Sequence, residues 1–224
     1  MPREDYQAAL AALREDVCDM GDLVVARLDD SLTALEDGDD ALARDVIDGD
    51  DDVNDRYLDL EGDCIDLLAL QQPVAGDLRF VAASFKILTD LERVADLATN
   101  FARYALAARD DRLASVDVAG IAADARALLV DAIAAYDDQD ADACFDVAAR
   151  DDHVDALCQA ASHRVVRDLI EREAGSDAWD VEALLDDVSH VLLTVRDLER
   201  VADHAVNVAA RTLYAAENDP ALIY

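Results

Sequence analysis

Six residues, Leu91-Glu92-Arg93-Val94-Ala95-Asp96, recur letter for letter as Leu198-Glu199-Arg200-Val201-Ala202-Asp203, 107 residues further along the chain. The match runs upstream to Asp90 and Asp197 and downstream to Asn100 and Asn207. A looser pair lies ahead of it: Asp50-Asp51-Asp52-Val53-Asn54 aligns with Asp151-Asp152-His153-Val154-Asp155 at a spacing of 101. The two spacings differ by six residues, which a longer connection before the last helix absorbs. A duplication of this kind commits the chain to two copies of one supersecondary unit.

The residues between the matched blocks say what that unit is. Only 7 Gly and 3 Pro occur in 224 residues, and Ala, Leu, Asp, Glu and Arg dominate, a composition that favours long helices with few breaks. No alternating run of Val, Ile, Thr and aromatics bounded by turn residues signals a strand. Turn chemistry divides the chain at Asp37-Gly38-Asp39, Gln71-Gln72-Pro73, Asp110 to Ser115, Asp137-Asp138-Gln139-Asp140, Ala174-Gly175-Ser176-Asp177 and Asn218-Asp219-Pro220. Six helices result, several of roughly 30 residues and so about 45 Å long. Short loops fold such helices back as antiparallel neighbours. Phe85, Leu88, Leu91, Ala95, Ala98 and Ala102 recur at spacings of three and four, as do Leu192, Val195, Leu198, Ala202, Ala205 and Ala209. These are core seams. The expected fold is all-α: two pseudo-symmetric three-helix bundles, over residues 1–112 and 113–224.

Charge narrows the partners. Asp plus Glu is 52 against 19 Lys plus Arg, a formal charge of -33, and Lys86 is the one lysine. Such a surface repels nucleic-acid phosphates and anionic membranes. Asp-rich, Lys-poor surfaces suit a salt-rich cytosol, where screening relieves self-repulsion, so the acidity reads as a halophilic habitat before it reads as function. Cys18, Cys64, Cys144 and Cys158 form no C-x-x-C pair, which removes the zinc knuckle and the thioredoxin motif. An acidic N-terminus without an apolar stretch, and no apolar run of about 18 residues, lead us to expect a cytoplasmic protein with reduced thiols.

On a helix, Glu92, Asp96 and Asn100 fall at i, i+4 and i+8, in a stripe beside the apolar seam; Glu199, Asp203 and Asn207 repeat it. Asp50 with Asn54, and Asp151 with Asp155, are further i, i+4 pairs. Antiparallel packing would face one oxygen-rich stripe with another in each bundle. Converged carboxylates repel unless a cation lies between them, and this donor set suits Mg, Ca, Mn or Fe, with Zn possible. The competing reading is a solvated acidic face bridged by Arg93 and Arg200. His153 could serve the second cluster as an accessory ligand. His204 points about 100° from its stripe, toward the surface or an interface. No nucleophile motif, glycine-rich phosphate loop or E-x-x-H pair appears, so we expect no enzyme. A metal-binding helical adaptor or a metal-dependent hydrolase stays as the alternative.

The two D-L-E-R-V-A-D-x-A-x-N segments, together with Gln71-Gln72-Pro73-Val74-Ala75-Gly76-Asp77-Leu78-Arg79, resemble the PhoU family from about Tyr6 to Tyr214. The resemblance implies two three-helix bundles bearing E/D-x-x-x-D motifs that bind metal, iron or zinc among them. Here those motifs match Glu92 to Asp96, Glu199 to Asp203 and Asp151 to Asp155. The fourth departs: Asp50 is followed by Asn54, and Asp51 with Asp55 offers an acidic pair one residue later. It further implies a homodimer that restrains the phosphate ABC transporter through its ATP-binding subunit, and in bacteria a link to a phosphate-sensing kinase.

Overall fold

A computed structural model describes residues 3–70, 74–107, 116–173 and 178–223. The expected turn at Gln71-Gln72-Pro73 and the boundary between 112 and 113 lie outside these residues. Every regular element described is helical: α1 (Arg3–Asp37), α2 (Asp40–Asp48), α3 (Asp50–Leu70), α4 (Ala75–Ala107), α5 (Val118–Asp138), α6 (Ala141–Glu173) and α7 (Ala178–Glu217).

The duplication is visible in how the helices stop and start. After α1 the chain reverses at Gly38, φ 67°, and after α5 at Gln139, φ 52°. Both occupy the left-handed conformation that ends many helices. Next comes an aspartate cap in each half. The Asp39 carboxylate accepts from the backbone N–H groups of Ala41 and Leu42, and that of Asp140 from Ala143. Buried positions repeat at a spacing of 101: Ala43 with Cys144, Val46 with Val147, Val53 with Val154, Leu60 with Ala161 and Cys64 with Val165.

One expected helix is in two pieces. The segment from Asp40 to Leu70 breaks at Gly49, whereas its counterpart α6 runs unbroken through Arg150. The cause is Arg27 of α1. Its guanidinium donates to the Val46 carbonyl oxygen at 3.2 Å and pairs with Asp52 at 3.3 Å. A Cβ at residue 49 would stand 2.4 Å from that guanidinium, so a larger residue there would have to push the arginine end away from Val46 and Asp52.

Helices α1, α2, α3 and α4 pack together, as do α5, α6 and α7. The halves meet where equivalent helices touch, α4 on α7 and α1 on α5. That self-matching arrangement is what a pseudo-twofold between repeats produces. A single core crosses the seam, with Leu88, Leu91, Leu97 and Phe101 from one half and Val195, Leu198, Val201 and Leu213 from the other. The two sequence seams feed this core: Leu88, Leu91, Ala95 and Ala98, and Val195, Leu198, Ala202, Ala205 and Ala209, are buried in it, while Ala102 is buried in a smaller cluster with Ala43 and Val46. Phe85 is partly buried against the shared core, and Leu192 against a smaller cluster around Val165 and Val188. At roughly 25 cal/mol per Å² of apolar surface removed from water, this shared core is the main force holding the repeats together. Cys64 and Cys158 are small core residues, each essentially inaccessible.

Candidate functional site

In each half the last two helices lay their carboxylates side by side. The first cluster joins Asp50 and Asn54 of α3 to Glu92 and Asp96 of α4. Asp50 opens α3, where a negative charge complements the helix dipole. Its Oδ1 accepts from the Thr99 hydroxyl of α4 at 2.9 Å, and its Oδ2 from the Asn54 amide at 3.4 Å. Glu92 titrates above its ordinary range, raised by desolvation and then by the Asp96 charge; Asp96 is raised by desolvation and then by Asp50. Asp51 and Asp55, the acidic pair one residue later, are exposed.

The second cluster joins Asp151 and Asp155 of α6 to Glu199 and Asp203 of α7. It follows the same plan with two donors removed. Thr99 is replaced by Val206, and Asn54 by Asp155. The Oδ1 of Asp151 is consequently buried without any hydrogen-bond partner. Desolvation, followed by Asp155, Asp203, Asp152 and Glu199, pushes the Asp151 carboxyl up to about 6. Glu199 and Asp203 are also raised, by desolvation and then by the Asp155 charge. An orphaned carboxylate oxygen among three further carboxylates is electrostatically uncompensated, and an oxygen-seeking cation is the ordinary remedy. Among the described residues, however, no three His, Cys, Asp or Glu side chains are gathered closely enough to hold a metal ion as they stand.

The other members of the stripes are engaged elsewhere. The Asn100 amide oxygen accepts from Arg103 at 3.3 Å. The Asn207 amide donates at 3.2 Å to Asp90 across the seam. His153 is exposed and faces Asp124 of α5 at 4.0 Å, away from Asp151. His204 occupies the seam, where its Nδ1 lies 2.8 Å from Asp90 Oδ1.

The seam itself carries polar residues that stripe reasoning passed over. Asp197, the repeat equivalent of Asp90, is fully buried in α7. It accepts from the Tyr104 hydroxyl of α4 at 2.8 Å and pairs with Arg196 and Arg200 of its own helix. Burial and this carboxylate push the Tyr104 hydroxyl up to about 12. Each repeat thus offers one aspartate to the other. The signal was present in the sequence, since the matched block begins at Asp90 and Asp197. Between α1 and α5, Arg126 makes a two-pronged pair with Asp29, the Nη2 to Oδ2 arm measuring 2.7 Å.

Comparison with known proteins agrees with this anatomy. A family model described as "PhoU domain" matches twice, over residues 17–105 and 118–212. A protein of Pseudomonas putida named as a phosphate-specific transport system accessory protein PhoU homolog is 31% identical over 94% of this chain and 80% of its own length. A Clostridium acetobutylicum protein of the same name is 27% identical over 96% of this chain and 95% of its own. The crystal structure of PhoU from Pseudomonas aeruginosa superimposes with a TM-score of 0.85 at 29% identity, covering 96% of this chain and 100% of that one. That of the phosphate transport system regulatory protein PhoU from Streptococcus pneumoniae gives 0.86 at 25% identity, with coverages of 96% and 98%. The chain belongs to the PhoU family.

Proposed function

We propose that this protein is an accessory regulator of phosphate transport that restrains the phosphate ABC transporter by binding its ATP-binding subunit. The observation that carries the reading is the family match in both repeats over nearly the full chain, shared with relatives named as accessory proteins of the phosphate-specific transport system. Among the described residues no helix is long and apolar enough to cross a membrane.

We infer further that the clusters bind a divalent or trivalent cation, with the second cluster the stronger site. Asp151, Asp155, Glu199 and Asp203 would hold it. A cation supplies positive charge that neutralises these carboxylates and draws α6 toward α7. In the first cluster Thr99 and Asn54 already satisfy Asp50, and Asn54 brings one charge fewer, so Glu92 and Asp96 would hold a cation more weakly. The side chains have to close around the ion, which ties the packing of α6 on α7 to metal supply. That coupling gives the regulator a way to change the face it presents to its partner.

The test is co-purification of this chain with the transporter's ATP-binding subunit at molar salt, with and without chelator. Association that weakens on chelation supports both parts. Equal association in the two conditions removes the metal-dependent part, and no association removes the transporter reading.

A further inference from the structure

The outer face of α3 carries an apolar stripe that the rest of the described chain leaves open. Val53, Leu60, Cys64 and Leu67 turn inward to the core. On the far side Leu58, Gly62, Ile65 and Ala69 recur at spacings of four, three and four, and all are exposed. Leu58 is 61% exposed and Ile65 51%. Among the described helices α1, α2 and α4 touch α3, and none of them covers this stripe. A Cβ at Gly62 would meet no atom within 4 Å, so nothing inside the chain calls for glycine there. A glycine in a helix interior weakens the helix relative to alanine. What it leaves is a notch between two apolar posts, into which a side chain of another helix can enter.

The spacing is that of a coiled-coil seam, with Leu58 and Ile65 at d and Gly62 and Ala69 at a. That register places the exposed Asp59 and Asp66 at e and the half-buried Glu61 at g, the positions that select a coiled-coil partner. The second repeat separates this pattern from the general acidity of the chain and from the plan of the duplicated unit. At the equivalent positions, 101 residues on, α6 has Gln159 and His163 in place of Leu58 and Gly62. It has Ala160 and Arg167 in place of Asp59 and Asp66. The notch and its acidic flank therefore occur together, and in the first repeat alone.

We propose that the α3 stripe docks an amphipathic helix of another protein, one that sets a large apolar side chain into the Gly62 notch and arginine or lysine against Asp59, Asp66 and Glu61. Pairing of this kind brings the flank residues of one helix against those of the other, so acids at e and g specify a basic partner. The α3 of a second copy does not fit. Whether parallel or antiparallel, it would bring its own Asp59, Asp66 and Glu61 against these, like charge on like. An anionic membrane is repelled by the same carboxylates. The partner is defined by its chemistry alone, so the inference does not rest on the transporter reading.

The experiment is fluorescence anisotropy of a labelled synthetic peptide with the full chain. It is done at about 1 M salt, where a Debye length of about 3 Å screens diffuse attraction to a charge of -33 and spares pairs in contact. The peptide is about four heptads long, with leucine at a and d and arginine at e and g; a control peptide has glutamate at e and g. The variants are Leu58→Gln with Ile65→Gln, Gly62→Gln, and Asp59→Asn with Asp66→Asn. The first two leave the net charge unchanged, and glutamine is a good helix former. Gly62→Gln should unfold no earlier than the wild type, which keeps the test valid should the double apolar substitution fail to fold. The wild type is expected to bind the arginine peptide at least tenfold more tightly than the control, and each variant to bind it at least tenfold more weakly than the wild type. No binding to the wild type, equal binding of the two peptides, or undiminished binding by Gly62→Gln would each overturn the proposal. So would sedimentation in which Leu58→Gln with Ile65→Gln loses a self-association that the wild type has, since the stripe would then belong to a second copy.

Discussion

Asp90 and His204 meet at 2.8 Å although 114 residues separate them in sequence. The contact fastens α4 to α7, and Tyr104 with Asp197 fastens them again from the other direction. Both aspartates belong to the duplicated block, so one ancestral position now serves the seam twice. The partners have diverged, since His204 stands where the first repeat has the buried Leu97, and Tyr104 where the second has Arg211.

Tyr104→Phe removes one donor from a fully buried carboxylate while keeping the ring. Chemical denaturation should show a loss of about 1–3 kcal/mol, the usual range for a lost hydrogen bond to a charged acceptor. His204→Leu restores the residue that the other repeat uses and leaves Asp90 with Asn207; its cost should be smaller than that of Asp197→Ala, which takes the acceptor from the Tyr104 hydroxyl and leaves a void at a fully buried position. An Asp197→Ala variant as stable as the wild type would refute this account of the seam.

The two helix ends allow a matched comparison. Gly38→Ala meets no neighbour, so its cost is the left-handed backbone alone, about 1–2 kcal/mol. Gln139→Gly relieves the same strain but gives up the side-chain bond from Nε2 to the Tyr136 carbonyl oxygen at 2.8 Å. Thermal unfolding should therefore show a clear loss for the first substitution and little change or a gain for the second.

Much of this was legible from residues alone, and what was missed has physical causes. The duplication and the Gly38 and Gln139 turns are local, and they located helix ends well. The seams were readable because buried positions on a helix keep a period near 3.6. The break at Gly49 was not, because its cause, the Arg27 guanidinium, comes from another helix. The stripes correctly grouped Glu92 with Asp96 and Glu199 with Asp203, as any i, i+4 pair is grouped by helix geometry. Periodicity alone carried Asn100 and Asn207 into the same set, yet their amides bond to Arg103 and Asp90. Asp151 could be placed beside the second stripe, but its missing donor shows only when Thr99 and Val206 are compared in three dimensions.

That comparison separates the two clusters experimentally. Asp151→Asn should reduce affinity for Mn²⁺ or Fe²⁺ at least tenfold by calorimetry. Asp50→Asn should have a smaller effect, because Asp50 is already occupied by Thr99 and Asn54. Converting the first cluster toward the second, with Asn54→Asp and Thr99→Val, should strengthen its binding. Equal losses for Asp151→Asn and Asp50→Asn would contradict the ranking.

Acidity gives a second handle on Asp151. Its folded value of about 6 lies above the ordinary carboxylate value near 3.9. The folded state therefore binds the proton more tightly, and stability falls as pH rises from about 4 through 6. The metal-free protein should lose thermal stability over that window. Asp151→Asn should flatten the slope, and added cation should restore stability on the alkaline side. An unchanged slope in Asp151→Asn would place the pH dependence elsewhere.

Phosphate uptake in phosphate-rich medium, compared between cells that lack this gene and their parent, decides whether this protein restrains phosphate import. Unrestrained uptake and excess stored phosphate are expected in the deletion, reversed by the intact gene. Uptake indistinguishable from the parent would overturn the regulatory reading.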